Sequence, residues 1–437
     1  MADLLDLSRR MIDEGDGLGS AGGLGPANRV NLELSEVADG VAVVESFSHV
    51  VAFDSGDGLV LFDASLGPFG AGVVRALRGW RTDPVDTLVY THGHVDHVGG
   101  AHAVLADADD RGHRRPTVVA HAAVPSRFDR YDLTHGYNSV INQRQFGGTG
   151  LTSASTGSSD DATGFPRRWV RPTVTYHDRL QLTVGELDLA LHHSRGETDD
   201  HTWTWVPSLR AACIGDLMVW VFPNAGNPQK VQRYPLDWAR ALREIAAYEP
   251  ELLLPAHGLP VGGRDRIRRV LDDVATALET LVHQTLDLMN AGAPLDEIVH
   301  TVRVPDSLMA KPYLAATYDE PEFVVRNVWR QYGGWYDGNP ARLKPPSDAA
   351  AGREMARLAG GAAVLVARAG ELADEGDFRL ACHLIELAVA AAPEDRDVHA
   401  ARADLYGRRR HAEASLMAKG IYGWAERQSS ARAEELG

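Results

Sequence analysis

The sequence has very few cysteines and no long apolar segment, and both absences narrow the class of protein. Only Cys213 and Cys382 occur among the 437 residues, which argues against a disulfide framework and against a zinc site made of thiolates. No run of about 18 apolar residues is present, so we expect no transmembrane helix. The first residues, MADLLDLSRRMIDEGDGLG, carry scattered acids and lack the apolar segment of a secretion signal. We therefore expect a cytoplasmic protein.

Basic residues are too few to attract a polyanion. The chain has 44 lysines and arginines against 60 acidic residues, a formal net charge of −16 at pH 7, so neither nucleic acid nor an anionic membrane is an expected partner. The chain is longer than one ordinary core requires, and its hydrophobic content of 44% is enough to bury two cores. The sequence thus predicts two or three domains.

Histidine and aspartate are concentrated in one short segment, THGHVDHVGG, which directly follows the apolar strand pattern VDTLVY. The segment contains four potential ligands, His92, His94, Asp96 and His97. Imidazole and carboxylate groups are the ligands that zinc and related metals prefer, and strand ends are where sites form in α/β sheets. Ligands at i and i+2 of an extended loop would face one ion, while Asp96 and His97 turn towards another. The spacing therefore indicates two metal ions.

Two metal sites need further ligands, and the ends of later strands offer three of them, Glu197, Asp216 and His257. We expect one ion on His92, His94 and Glu197, the other on Asp96, His97 and His257, and Asp216 between them. Asp96 and Asp216 are the predicted catalytic residues. A water or hydroxide between the ions is the expected nucleophile, because two cations lower its pKa and one polarises the ester oxygen.

Some of these assignments have alternatives in the sequence. Glu197 competes for its position with three neighbours, Asp199, Asp200 and His201. Without the histidine cluster, Asp216 would be an ordinary strand-end acid and His257 a core histidine. Asp63, which ends the strand pattern GLVLFDAS, either orients a ligand histidine or caps a turn.

Alternating strand and helix patterns outline the fold. A hairpin pattern with its turn at residues 54–58 leads into a helix pattern and the strand before the cluster, and a second β-rich half follows. Two β-rich halves with helices outside predict a four-layer αββα sandwich over residues 29–263, after an N-terminal arm of residues 1–28. Residues 147–168 are rich in Gly, Ser and Thr and predict a long loop or lid.

The pattern turns helical from about residue 264. A long amphipathic helix opens a helical extension and linker over residues 264–344. Residues 345–437 predict an all-α, tetratricopeptide-like domain. One or two such helix pairs bury too little apolar surface alone, so they should pack on a neighbour or across a dimer.

The order of the motifs resembles the metallo-β-lactamase fold: His-x-His-x-Asp-His, a strand-end ligand, Gly-Asp, and then Ala-His-Gly. Members of that superfamily usually have His where Glu197 stands, and Glu there is typical of its alkylsulfatases. Three further segments are similar to the same branch, YNSVINQRQFGG (137–148), VWRQYGGWYDGNPARLKPP (328–346) and GDFRLACHLIELAVAAAPED (376–395). The resemblance implies a dizinc hydrolase of sulfate monoesters that forms a homodimer through residues of about 345 to 437.

The resemblance has one departure close to the metal ligands. Alkylsulfatases of this group place a second Glu, in an Ala-Glu-Asn setting, where this chain has Gly215, Asp216 and Leu217. The bridging role survives the change of side chain, and the shorter carboxylate is expected to alter the geometry.

A sulfate ester also requires cations and hydrogen-bond donors around its oxygens. Motif order offers five candidates, each of which is otherwise a solvated loop residue: Asn142, Arg144, Asn224, Lys230 and Arg233. The alcohol can leave with a proton from a general acid, or the bond can break on the carbon side, where sulfate itself is the leaving group. The sequence does not distinguish the two routes.

Two other functions stay open. One is a dizinc hydrolase of a lactone, thioester, carboxylic ester or phosphoester, and the other is a helical-repeat scaffold beside a degenerate metal domain.

Overall fold

The computed structural model of the chain describes residues 3–15, 27–146, 166 and 168–437. The chain divides into two compact units, one of residues 1–139 and 153–335, the other of residues 140–152 and 336–437. Apart from residues 166 and 168, the predicted loop or lid at 147–168 lies outside the described residues. The domain boundaries inferred from composition stay predictions.

The first unit contains a seven-stranded sheet in which the strands follow their order in the chain. Its strands are β1 Leu34–Ala38, β2 Val41–Val44, β3 Val50–Asp54, β4 Leu59–Phe62, β5 Val85–Val89, β6 Thr117–His121 and β7 Val174–Tyr176. Strands β1 to β4 are antiparallel, with Val43 opposite Val51 in the register, and β4 to β7 are parallel. Parallel neighbours need a crossover, and the connection between β4 and β5 is the helix α2, Gly67–Trp80.

A second sheet of six strands has the order β13-β12-β11-β10-β9-β8. Its strands are β8 Arg179–Val184, β9 Leu187–Ser194, β10 His201–Val206, β11 Ala211–Gly215, β12 Leu252–Pro255 and β13 Val261–Gly262. Only β11 and β12 pair in parallel, and the other pairs are antiparallel. The parallel pair is joined through the helix α7, Pro235–Ala247.

Alternation along the strands of the first sheet produces two apolar faces. Because successive side chains point to opposite sides, Val51 and Phe53 join the apolar core that also holds Trp203 of the second sheet. The intervening residues Val50 and Ala52 join a separate core beneath the helices. A sheet covered on both faces explains why these strands are almost uniformly apolar.

Helices cover the outer face of each sheet. The first sheet is covered by α2 and by three further helices, α3 Val95–Val98, α4 Ala101–Asp110 and α5 Val124–Leu133. The helix α6, His135–Phe146, follows α5. On the second sheet, α7 packs against α8, Arg264–Asn290, and both contribute side chains to the same core as the strands. The predicted four-layer αββα sandwich is confirmed.

An N-terminal helix, α1, spans Leu4–Asp13 in the region that the sequence predicted as an arm. It begins where the Asp3 carboxylate accepts a hydrogen bond from the Asp6 backbone N–H at 2.9 Å, an N-cap. Leu4 and Met11 are buried in the main core. Asp13 accepts a hydrogen bond of 2.7 Å from Arg266 of α8, so α1 is part of the first unit.

The remaining helices belong to the end of the first unit and to the second unit. The former are α9 Leu295–Thr301, α10 Asp306–Met309 and α11 Pro321–Tyr332, and the latter are α12 Asp348–Ala359, α13 Ala362–Asp374, α14 Phe378–Ala391, α15 Arg396–Ala412 and α16 Leu416–Glu435. In the second unit α13 packs on α14 and α15 packs on α16, so the predicted helical C-terminal domain is confirmed. Among the described helices, none has the length and apolar content to cross a membrane.

Candidate metal centre

The predicted ligands lie in four loops that follow strand ends of the first unit. Strand β5 of the first sheet leads directly into the histidine cluster. In the second sheet, the connection from β9 to β10 carries Glu197, the end of β11 precedes Asp216, and the end of β12 precedes His257. The structure brings all seven predicted ligands together where these loops meet, in two groups.

The first group consists of His92, His94, Glu197 and Asp216, whose ligand atoms all lie within 4.8 Å of one another. Nε2 of His92 is 2.8 Å from Nδ1 of His94, and that Nδ1 is 3.9 Å from Oε1 of Glu197. Except for the partly exposed His94, these side chains are buried. Two imidazoles and two carboxylates in this arrangement could hold one ion.

The second group consists of Asp96, His97 and His257, again with ligand atoms within 4.8 Å. Oδ2 of Asp96 is 3.2 Å from Nε2 of His257 and 3.6 Å from Nε2 of His97. Asp96 and His97 belong to the short helix α3, which begins directly after His94. This group could hold a second ion.

Asp216 lies between the two groups. Its Oδ2 is 3.4 Å from Nε2 of His97, 3.7 Å from Nε2 of His257 and 3.8 Å from Nε2 of His92. The preceding Gly215 has a φ of 51°, and a Cβ there would lie 2.7 Å from Cβ of Thr91. Glycine is therefore required for the chain to turn out of β11 and direct Asp216 to this position.

The donor set fits a pair of zinc ions. Oδ1 of Asp216 and Nε2 of His97 are buried without a hydrogen-bond partner among the described residues, which is costly unless another ligand satisfies them. Tetrahedral zinc, with ligands at about 2.0–2.2 Å, keeps neighbouring ligand atoms roughly 3.4 Å apart. The interatomic distances around Asp216 are close to that value.

Charge balance in the centre is consistent with metal binding. Burial lowers the pKa of His94 well below its ordinary value, and the nearby Arg233 lowers it further. Burial would raise the pKa of Asp216, but His97 and His257 outweigh it and hold that pKa well below the usual range. Burial lowers the pKa of His97, but Asp216, Asp63 and Asp96 outweigh it and raise that pKa well above the usual value. Because a metal binds neutral imidazole, an ion bound here would displace the proton of His97.

Asp63, directly after β4, contacts one ligand candidate. Its Oδ2 lies 2.7 Å from Nδ1 of His97, and its two oxygens also accept hydrogen bonds of 2.7 Å from the backbone N–H and the hydroxyl of Thr91. The φ of Asp63 is 63°, a conformation that non-glycine residues adopt at a cost and that often marks functional sites. Asp63 thus directs Nε2 of His97 towards the other ligands.

Two of the predicted sulfate-binding residues contact Glu197. Asn224 donates a short hydrogen bond from Nδ2 to Oε1 of Glu197, and Arg233 donates one to its backbone carbonyl. Nη2 of Arg233 is also 3.6 Å from Oε1. In the structure these side chains therefore position a ligand candidate, and their sulfate-binding role stays a prediction. Lys230 is partly buried on the same segment.

The other two predicted sulfate-binding residues, Asn142 and Arg144, lie in the part of α6 that belongs to the second unit. Their role therefore stays a prediction from the sequence.

Several supporting contacts had no signal in the sequence patterns. In the loop between β2 and β3, Ser48 Oγ donates to the Asp96 carbonyl at 2.5 Å, and His49 N–H donates to the Ala256 carbonyl at 2.6 Å. The ring of Phe47 lies 6.2 Å from the ring of His257. This loop thus contacts both ligand segments of the second group.

The segment with Asn224 and Arg233 is held by residues much later in the chain. Oδ2 of Asp319 accepts hydrogen bonds from the backbone N–H groups of Gly226 at 2.6 Å and Asn227 at 3.2 Å. Asn327 of α11 accepts from Arg233 N–H at 3.3 Å and donates to its carbonyl at 3.0 Å. These pairings span 92 to 94 positions, so sequence spacing does not reveal them.

Two segments of the chain match known protein families. Residues 43–257 match the metallo-beta-lactamase superfamily, and residues 294–431 match the family described as alkyl sulfatase dimerisation. One part of the chain is thus similar to the metallo-β-lactamase superfamily and a later part to the alkyl sulfatase dimerisation family. The predicted resemblance is confirmed.

Relatives of this two-part chain include three sulfatases. It is 25% identical over 334 residues to a linear primary-alkylsulfatase from Pseudomonas sp., covering 74% of this chain and 63% of the relative. It is 27% identical over 338 residues to an (R)-specific secondary-alkylsulfatase from Pseudomonas sp., covering 74% and 50%. With the alkyl/aryl-sulfatase BDS1 from Saccharomyces cerevisiae it shares 26% identity over 332 residues, covering 74% and 51%. The chain thus spans half to less than two thirds of their length.

A solved structure has the same fold. The stereoselective inverting sec-alkylsulfatase Pisa1 from Pseudomonas sp. superposes with a TM-score of 0.78 at 24% identity, covering 91% of this chain and 66% of that one.

Metal analysis tests the two groups directly. Protein purified without chelator should contain about two equivalents of zinc, and Asp216→Ala should lose at least one of them because that carboxylate contacts both groups. The measurement is elemental analysis by mass spectrometry. Asp265→Ala removes a side chain that is 90% exposed and should leave the zinc content unchanged. Well under one equivalent in the wild type would contradict the dinuclear assignment.

The role of Asp63 predicts a selective effect on the second group. Asp63→Ala removes the acceptor at Nδ1 of His97, and the affinity of one zinc should fall by about 10–100-fold. Competition with a chromophoric zinc chelator measures this affinity. An unchanged affinity would show that Asp63 caps a turn and does not orient His97.

Proposed function

We propose that this chain is a zinc-dependent hydrolase that cleaves small-molecule sulfate monoesters at a dinuclear site. The observation that carries the proposal is the position of Asp216 between two groups of imidazole and carboxylate ligands. The names of the sulfatase relatives favour sulfate esters among the substrates that this fold accepts.

The residues of the chain would bind and orient the reacting groups. When bound, two zinc ions would lower the pKa of water and polarise an oxygen of the sulfate ester. Asp216 and Asp96 contribute the carboxylates that face the imidazoles. Asn224 and Arg233 hold Glu197, and Asp63 holds His97. Ligands that are fixed in advance need little rearrangement during the reaction.

A cationic segment beside the first group suits an anionic ester. Lys230 lies near Arg233 and within electrostatic reach of Asp96 and Glu197. Burial, and then the charge of Arg233, lower the pKa of Lys230 to about 8, so its ammonium group stays protonated at neutral pH. Lys230 is therefore our first candidate for contact with a sulfate oxygen.

A substrate panel tests the proposed reaction. Zinc-loaded protein should release sulfate from at least one short alkyl, long alkyl or aryl sulfate, measured by ion chromatography. His94→Ala should reduce the rate by more than about 100-fold, since even the outer partners of a ligand are worth 10–100-fold. Asp265→Ala serves as the active control.

The panel also separates the alternatives. Hydrolysis of lactones, thioesters, carboxylic esters or phosphoesters without any release of sulfate would instead support a dizinc hydrolase of another ester. A protein that binds no zinc and turns over none of these substrates would support the scaffold function.

We also propose that the chain forms a homodimer through its helical second unit. The match of residues 294–431 to an alkyl sulfatase dimerisation family supports this. Several large apolar side chains of this unit are exposed, among them Leu358 at 66% and Leu380 at 48%, and exposed apolar surface is typical of association sites. A cytoplasmic location stays a prediction.

If the second unit forms the dimer interface, substitutions on its exposed apolar surface should halve the mass of the protein in solution. Wild-type protein should elute as a dimer in size-exclusion chromatography with light scattering, and the double variant Leu358→Glu, Leu380→Glu should elute as a monomer because buried carboxylates oppose association. Leu133→Glu, at a position of the first unit that is 85% exposed, is the matched control and should stay dimeric. A monomeric wild type would reject the proposal.

A further inference from the structure

A buried ion pair packs against the backbone between His92 and His94 of the first ligand group. Arg127 of α5 donates from Nε to Oδ2 of Asp200 at 2.5 Å and from Nη2 to Oδ1 at 2.9 Å. The two side chains are 2% and 0% exposed. Such a bidentate pair has a defined geometry, but burying it costs desolvation energy, so stability alone is a weak reason for it.

Asp200 makes a third contact, to the backbone between two ligand candidates. Its Oδ2 accepts a hydrogen bond of 3.2 Å from the N–H of Gly93, the residue that separates His92 from His94. A Cβ at Gly93 would lie 2.7 Å from Cδ of Arg127 and 2.9 Å from Oδ2 of Asp200. The ion pair therefore packs against this backbone so closely that only glycine fits.

Asp200 also belongs to the loop that supplies the other side of the group. It lies three residues after Glu197, and the next residue, His201, accepts a hydrogen bond at Nε2 from the backbone N–H of Asp216 at 3.2 Å. The Asp200 carboxylate thus connects the histidine loop of the first sheet to the loop of the second sheet that carries Glu197.

We propose that Arg127 and Asp200 are positioning residues that hold His92 and His94 at the correct distance from Glu197 and thereby set the zinc affinity of the first group. The inference rests on the proposed zinc site. Arg127 fixes the Asp200 carboxylate in two directions, and that carboxylate fixes the peptide between the histidines. Neither residue needs to contact the metal or the substrate.

Zinc binding to the full-length protein tests this inference. Asp200→Ala should weaken one of the two zinc affinities by about 10–100-fold, the range found for outer partners of metal ligands, and leave the other unchanged. Asp200→Asn should weaken it less, because an amide oxygen can still accept from Gly93, although Asp199 is then the remaining carboxylate paired with Arg127. Competition with a chromophoric chelator gives both affinities.

A second, largely buried ion pair away from the ligand groups provides the control. Arg78 of α2 donates to Oδ2 of Asp107 of α4 from Nε at 2.9 Å and from Nη2 at 2.5 Å, and these side chains are 9% and 13% exposed. Asp107→Ala should lower the melting temperature without changing either zinc affinity. An equal loss of zinc affinity in Asp107→Ala would overturn the inference, because it would show a general effect of stability.

Gly93→Ala tests the same contact without removing a charge, and it serves if Asp200→Ala does not fold. The new methyl group must displace the ion pair, so the same zinc affinity should fall. Unchanged affinities in a folded Asp200→Ala or Gly93→Ala protein would overturn the positioning role while leaving the proposed hydrolase intact. A wild type that binds no zinc would overturn both.

Discussion

The Asp216 carboxylate is the group on which the rest of the centre depends, because it faces imidazoles from both ligand groups. Buried imidazoles and carboxylates are tolerated only when their charges and hydrogen bonds are balanced. Asp216 supplies that balance for His97 and His257, and the left-handed Gly215 places it there. The strand ends of both sheets must meet at this edge for the contact to form. The packing of the two sheets in the sandwich is therefore also the condition for assembling the site.

Each ligand loop is supported by a residue from another part of the first unit. Asp63 from the first sheet holds His97, and Ser48 from the β2–β3 loop holds the backbone of Asp96. Glu197 is held by Asn224 and Arg233. Such outer contacts determine the orientation and basicity of metal ligands. The geometry of the centre therefore depends on the packing of the whole unit rather than on the ligand segment alone.

The sequence was sufficient to predict the fold and the ligand candidates because both have local signatures. Strand periodicity, the close spacing of His92 and His94, and acids at strand ends are visible within a few residues. The supporting contacts have no such signature: Arg127 and Asp200 lie 73 positions apart, and the sequence marks Asp200 only as an alternative to Glu197. The helix α1 was also missed, because its buried residues Leu4 and Met11 belong to a core that forms only in the folded unit.

The bonds from Asp319 and Asn327 to the segment of Arg233 have a consequence for how such chains can be recombined. Both residues lie within the 294–431 match to the dimerisation family, yet they belong to the first compact unit and support a loop next to the metal groups. A chimera joined at the start of the family match would therefore combine the Arg233 loop of one parent with the supporting helix of another. A junction after residue 335, where the first unit ends, would keep each loop with its own support. The compact unit and the family match thus have different boundaries. Exchange of dimerisation domains between homologues should use the boundary of the compact unit.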